Sequence, residues 1–389
     1  MLIFTKISKQ ITMKTQTFIS TCAIAATLLL SNCGNKQDTT SSSNKNQLLI
    51  VEYKNLNNRK IELPLSHFIE DFRIVRLDNS DEALFKAWTI TPSNNYIGIR
   101  QSGAPFKLFD KDGKFLCDVG RIGQGPGEYE ISIYDEIIDE KGGRIFLAPF
   151  FGKKIMVYGL DGKWIKDIPL KGRVQKPKMR LNEDGTLSIV HMSFSEAEPL
   201  AFCIDMEGEI VKRLPVSKNM IVQNFDGEIF SYQNGGEFDF FHTANDTLWT
   251  YNNTENRLEA RFAMHFPDPD NKPIHIYLNI PQGIFANCYY WDVTTNQPGE
   301  SSTYFIDRQT GKGQKFDLMN DFFGNLPAST NFNKGYNIQN FEPMVLKEKI
   351  KEHIAFGKCP DKDKEKLTSF AESLNENDNN LLFIGKLKK

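Results

Sequence analysis

Residues able to do chemistry are scattered in this sequence, and their spacing excludes several kinds of site before it suggests any. The six histidines, His67, His191, His242, His265, His275 and His353, never fall in an H-x-x-H, H-x-x-x-H or HExxH pattern, so no local metal motif is present. Of the six cysteines, Cys117, Cys203, Cys288 and Cys359 lie in the body with no C-x-x-C pair. This excludes a zinc ribbon or a thioredoxin-like centre and leaves buried thiols as the expectation. The glycine-rich run GRIGQGPGEY (Gly120–Tyr129) lacks the Lys-Ser/Thr of a P-loop and the strand–loop–helix setting of a dinucleotide fingerprint. Its polar members Arg121, Gln124, Glu128 and Tyr129 are candidate ligand contacts, because loops carried on a rigid scaffold are preferred binding positions. His191, which ends the strand-like LSIVH before a loop, is a further candidate, as are Trp291 and Asp292 after the aromatic pair Tyr289-Tyr290. No catalytic constellation, metal site or cofactor motif is expected.

Cys33 stands apart. Lys14 precedes the apolar run FISTCAIAATLLL (Phe18–Leu30), and Ser31-Asn32-Cys33 follows at once. Basic, apolar and cleavage regions in that order make a secretory signal, and the run is shorter than the roughly 20 apolar residues that span a bilayer. Leu30-Ser31-Asn32-Cys33 resembles the lipobox of bacterial lipoproteins, although Asn32 replaces the usual small residue before the cysteine. The resemblance implies that residues 1–32 are removed and that Cys33 carries lipid. The polar stretch GNKQDTTSSSNKNQ (Gly34–Gln47) has nothing to bury and reads as a tether. Flexible-chain scaling gives it a reach of roughly 20 Å. The expected address is the cell envelope, lipid-anchored, with the outer membrane as the host. Without residues 1–32 the chain keeps 44 Lys and Arg against 49 Asp and Glu, which is no footprint for nucleic acid.

The elements that must position any site come from a repeat. FDKDGKFLCDV (Phe109–Val119), YGLDGKWIKDI (Tyr158–Ile168) and IDMEGEIVKRL (Ile204–Leu214) share an apolar strand, an acidic turn ending in Gly, and a second alternating strand. Gly in such a turn accepts the positive φ of a tight hairpin. Gly113, Gly162 and Gly208 are 49 and 46 residues apart. Weaker copies follow at Leu248–Phe262 and Thr303–Phe316. Each period leaves room for two further strands, which is the content of a four-stranded propeller blade. The pattern predicts a six-bladed, all-β propeller over residues 48–389.

With GRIGQGPGEY lying between its first two hairpins, the body resembles the bacterial six-bladed β-propeller lipoproteins, relatives of NHL-type propellers. In that family a final strand follows a short Asp-Asn-Pro turn, and here Asp378-Asn379-Asn380 precedes LLFIGKLK. The resemblance implies a fold and a compartment more than an activity. Before that last strand, Leu346, Ile350 and Ile354, and then Leu367, Phe370, Ala371 and Leu374, recur at helical spacing. They predict two short helices within about 343–375, separated near Pro360. The last strand is expected to pair with Phe72–Leu77 and close the ring. The function expected from all this is a membrane-anchored module that binds a small molecule, a glycan or a protein. The alternative is a propeller hydrolase or lyase acting on an extracellular carbohydrate or peptide.

Overall fold

The computed structural model describes residues 48–389 apart from Ile131. The signal segment, Cys33 and the tether lie outside the described residues. The body is a six-bladed β-propeller with four-stranded blades, mostly β, with two helices before the last strand. Blade 1 is Ala87–Pro92, Tyr96–Gln101, Phe106–Asp110 and Phe115–Val119. Blades 2 to 5 follow in sequence, with inner strands Ile133–Asp139, Lys178–Leu181, Ile229–Phe230 and Ile274–Ile280. The five repeated hairpins are the third and fourth strands of these blades.

Why the turns need Gly is visible at the blade interfaces. Gly113, Gly162 and Gly208 have φ of +96°, +76° and +89°. A Cβ on them would run into the backbone carbonyls of Arg76, Asp118 and Pro169 on the outer strand of the preceding blade. The turn glycine is therefore set both by local backbone conformation and by close approach of the next blade. In the weaker fourth copy Asn256 takes the left-handed position at φ +52°. Its side-chain amide donates to Arg213 O on the preceding blade at 2.9 Å, so an Asn performs both tasks.

Blade 6 combines the two ends of the described body. It runs Phe332–Asn333, Tyr336–Phe341, Leu381–Leu387 and then the early strand β3 (Ile69–Arg76). Ile74 sits opposite Phe383 and Val75 opposite Leu382, so the expected closure is the one found. Asn379 fastens the corner, its amide donating to Asp78 O at 2.8 Å and Ala83 O at 3.1 Å. Two strands ahead of β3 were not foreseen. β1 (Leu49–Glu52) and β2 (Asn57–Pro64) add in parallel to the outer strands of blades 4 and 5. β2 is exposed along nearly its whole length, and its apolar alternation is confined to Ile61 and Leu63, too short a run for its sequence to announce a strand.

Helices α1 (Pro343–Ala355) and α2 (Asp361–Glu372) are inserted between the second and third strands of blade 6. Leu346, Ile350, Leu367, Ala371 and Leu374 are buried against Phe323, Leu326, Leu381 and Phe383, as the helical spacing requires. Pro343 occupies the first turn of α1, and Asp361 and Asp363 the first turn of α2, where a missing N–H and a negative charge are each well placed.

Candidate functional site

The inner strands are joined around the axis by side chains. The Thr91 hydroxyl of blade 1 donates to Glu136 of blade 2, and Met179 N of blade 3 donates to Asp135 Oδ2 at 2.6 Å. Gln233, beyond the inner strand of blade 4, donates to Met179 O at 2.9 Å. Blade 4 then reaches blade 6 directly: Asn234 Nδ2 donates to Phe332 O at 3.1 Å, and Lys334 N donates to Tyr232 O at 2.8 Å. Asn333 returns to Thr91 at 3.3 Å. Blade 5 is tied to blade 4 by Asn279 and Asp239, and none of its residues lines the pocket at the end where the inner strands begin.

That pocket has a volume of about 470 Å³ and draws on blades 1, 2, 3, 4 and 6. On one wall Arg100, from the second strand of blade 1, is buried and ion-paired with Glu136 at 2.9 Å. It also donates to Thr89 Oγ1 at 2.8 Å and Ile133 O at 3.3 Å. Its guanidinium lies 4.8 Å from the Trp88 ring centroid and 5.9 Å from that of Tyr134, a cation beside two aromatic rings that meet edge-to-face at 5.8 Å. Trp88 remains half exposed.

Beside these groups the Tyr134 hydroxyl donates to Glu228 of blade 4. Lys176 Nζ lies 3.3 Å from the other carboxylate oxygen and donates to Phe225 O and Gly227 O at 2.9 and 2.6 Å. Burial pushes the Glu228 carboxyl up to about 7, against the hydrogen bond from Ile229 N and the charge of Arg100. Lys178 also lines the pocket, with its Nζ 4.5 Å from the Tyr134 ring centroid. Burial pulls this amine down to about 8 although Asp135 acts in the other direction.

A second opening of about 670 Å³ lies at the other end of the axis and shares Glu136 and Lys334 with the first. It is lined by Lys141, Arg180 and Lys386. Its carboxylates are engaged: Asp139 with Arg144 at 2.9 Å, and Glu140 with Asn95 at 2.7 Å.

None of the seven candidate contacts read from the sequence lines either opening. In the Gly120–Tyr129 loop Arg121 pairs with Glu128, and Glu128 accepts from Gly125 N at 2.8 Å. That backbone bond first, and Arg121 second, hold the Glu128 carboxyl below its ordinary range. Tyr129 is buried, donating to Val119 O at 2.9 Å and accepting from Phe106 N at 2.8 Å. Gln124 is exposed at the loop tip. His191 is buried edge-on to Phe202, and burial pushes it down to about 4. Trp291 and Asp292 begin a small hairpin between two strands of blade 5, where Asp292 accepts from Thr294 N at 2.8 Å within its own turn.

The pocket residues carry no motif. The readable signal is a charge inside an otherwise apolar strand, Arg100 in YIGIRQ and Asp135-Glu136 in IYDEIID, because charged side chains are seldom fully buried unless paired. Among the described residues no group of three His, Cys, Asp or Glu could hold a metal ion. The four body cysteines are free, and Cys203, Cys288 and Cys359 are buried.

Fold and site define the class: a six-bladed propeller with a polar, aromatic-walled axial pocket. The chain belongs to the family described as domain of unknown function DUF4934, whose model matches residues 48–386. No curated protein matches it. Among solved structures it is similar to a Bacteroides fragilis protein described as exported, at 16% identity over 88% of this chain and 100% of that one, with a TM-score of 0.60. A member of the DUF4221 family from Bacteroides vulgatus shares 10% identity over 82% and 97% of the two chains, with a TM-score of 0.45. The extracellular domain of a one-component system of Bacteroides thetaiotaomicron shares 14% over 64% and 29%, with a TM-score of 0.37. The first likeness shows the shared fold, and the other two are too loose to carry an argument. No described helix is long and apolar enough to cross a membrane.

Proposed function

We propose that this protein is an exported binding module, an NHL-like propeller lipoprotein held to the cell envelope through lipid on Cys33, that captures a small polar ligand in its axial pocket. The observation that carries the binding reading is the pocket itself. Five blades converge on about 470 Å³, within the ~300–1,000 Å³ range of small-molecule sites. The walls combine a half-exposed Trp with charged groups whose positions are set by buried hydrogen bonds. Asp135 and Glu136 are consumed by Met179 N, Thr91 and Arg100, an arrangement that shapes a pocket rather than supplying free acids and bases.

A thermal-shift screen of the purified protein against glycans, peptides and metals is the direct test, repeated with Trp88→Ala to locate any hit. A hit whose shift survives Trp88→Ala and Lys178→Met would place binding elsewhere and end this reading. For the anchor, Cys33→Ala is expected to release the protein from membranes or to leave an uncleaved precursor, and unchanged fractionation and migration would refute it.

Glu228 supports the second reading, a hydrolase or lyase, since a carboxyl near neutrality beside a tyrosine hydroxyl can exchange protons at working pH. Turnover of any pocket ligand that Glu228→Gln abolishes would establish it in place of simple capture.

A further inference from the structure

We infer that the ligand of the axial pocket is a negatively charged saccharide, its carboxylate or sulfate held between Lys178 and Lys334 and a sugar face laid on Trp88. This rests on the ligand-binding reading above and names the class of molecule. The argument starts from which charges are already matched. Arg100 is paired with Glu136 and Lys176 with Glu228, while Asp135 accepts from Met179 N. Among the described residues neither Lys178 nor Lys334 makes an ion pair within 4.0 Å. The one hydrogen bond of the Lys178 ammonium is a 3.5 Å contact with Tyr134 O. Both lysines line this pocket. Lys178 is in no direct ion pair, Asp135 and Glu136 acting on it only from beyond 4.0 Å, so an anionic ligand offsets the cost of burying its charge.

The rest of the wall specifies what carries the anion. Trp88 lines the pocket, packed by the Arg100 guanidinium and edge-to-face with Tyr134, and still keeps 49% of its surface exposed. The C–H face of a sugar ring is the natural partner for such a surface. The exposed Asn331 at the rim offers an amide to its hydroxyls. The opposite opening, with Lys141, Arg180 and Lys386 in its lining, extends the same positive potential along the axis and favours approach of anions.

The charged and titratable groups facing the pocket are Arg100, Asp135, Glu136, Lys176, Lys178, Glu228, Lys334, Tyr134 and Tyr232. Two of them change charge near neutrality. Glu228 becomes negative above about 7 and Lys178 loses its charge above about 8. Both changes oppose an anion, so affinity falls as pH rises through this window.

The test is titration calorimetry on the purified full-length protein with digalacturonate, a sulfated disaccharide, a neutral disaccharide of the same size, and an acidic dipeptide. Either acidic sugar is expected to bind at least tenfold more tightly than the neutral one and than the dipeptide. Lys178→Met and Lys334→Met should each cost tenfold or more while keeping the parent melting profile. Glu228→Gln should keep the affinity of the parent at about pH 6 and lose part of the decline toward about pH 9. Equal affinity for acidic and neutral sugars, tighter binding of the dipeptide, or lysine variants that bind like the parent would overturn the inference. Neutral or cationic ligands bound at Trp88 would overturn it and leave the ligand-binding reading intact. A pocket that takes no ligand of any class in the wider screen would sink both.

Discussion

The Gly120–Tyr129 loop and the axial pocket are both rich in polar groups, and they satisfy them in opposite ways. In the loop, Arg121, Glu128 and the Gly125 amide close on one another within ten residues, and Tyr129 is spent on backbone groups of blade 1. In the pocket, Arg100 and Glu136 are 36 positions apart and Tyr134 and Glu228 are 94 apart. The loop cluster is satisfied locally, whereas the pocket groups lie far apart in sequence and meet only through the closed ring. The contrast teaches that a polar cluster dense in sequence can close on itself, while groups that carry no motif can share a pocket.

Breaking the ring is the severest way to test that contrast. Deleting residues 376–389 removes Leu381, Leu382, Phe383 and Ile384, each no more than 1% exposed, and leaves β3 without its partner. At about 1.5–3 kcal/mol for each fully buried large side chain, the upper bound rivals the whole ~5–15 kcal/mol stability of a domain. The truncated protein is expected to aggregate or to melt far below the parent in calorimetry, and to lose the pocket while its loop sequence is intact. Removing Gly34–Gln47 should leave the melting temperature nearly unchanged.

Next in size is Arg100→Met, which leaves Glu136 buried beside Thr91 without its cation. Loss of one partner of a buried pair costs about 3–5 kcal/mol, measurable as a lower midpoint in urea. Arg121→Met, which breaks the exposed pair of the loop, should move the same midpoint very little.

Acid stability separates blade interior from pocket. His191 and His242 are buried and pushed down to about 4. The unfolded chain takes up their protons near 6.5 while the native state does not, so stability is full above that value and is lost as pH falls toward 4. The loss is about 3 kcal/mol per histidine at the acid limit. His191→Gln should flatten this slope in denaturant titrations run across the window.

Glu228 has the opposite sign. Its folded-state value is raised to about 7, so its contribution is present below the ordinary 4.5 and lost as pH rises toward neutrality. Glu228→Gln should therefore melt higher than the parent above neutral pH. The smallest change expected is Glu128→Ala: the loop loosens, the melting temperature drops by a few degrees at most, and binding at the axial pocket is untouched. A Glu128→Ala protein that lost ligand binding would reverse the comparison and return the site to the loop.

What the sequence determined by itself was whatever the chain repeats or fastens locally. The Gly113, Gly162 and Gly208 turns recur at one blade length because each blade must turn back in the left-handed region against its neighbour. Leu346, Ile350, Leu367 and Ala371 mark the two helices because one face of each is buried. The apolar Leu381–Ile384 marks the closing strand. What only the tertiary structure decided was which polar residues meet. β1 and β2 join outer edges by parallel backbone pairing, and their short apolar stretches do not specify which edge each one joins. Blade 4 reaches blade 6 through Asn234 and Lys334, excluding blade 5 from the pocket wall, and nothing in the repeat period encodes that. Arg100, Tyr134, Lys178 and Glu228 come from four blades, each held by a partner from another blade. A side chain's protonation, partner and exposure depend on the low-dielectric surroundings that only the closed ring creates.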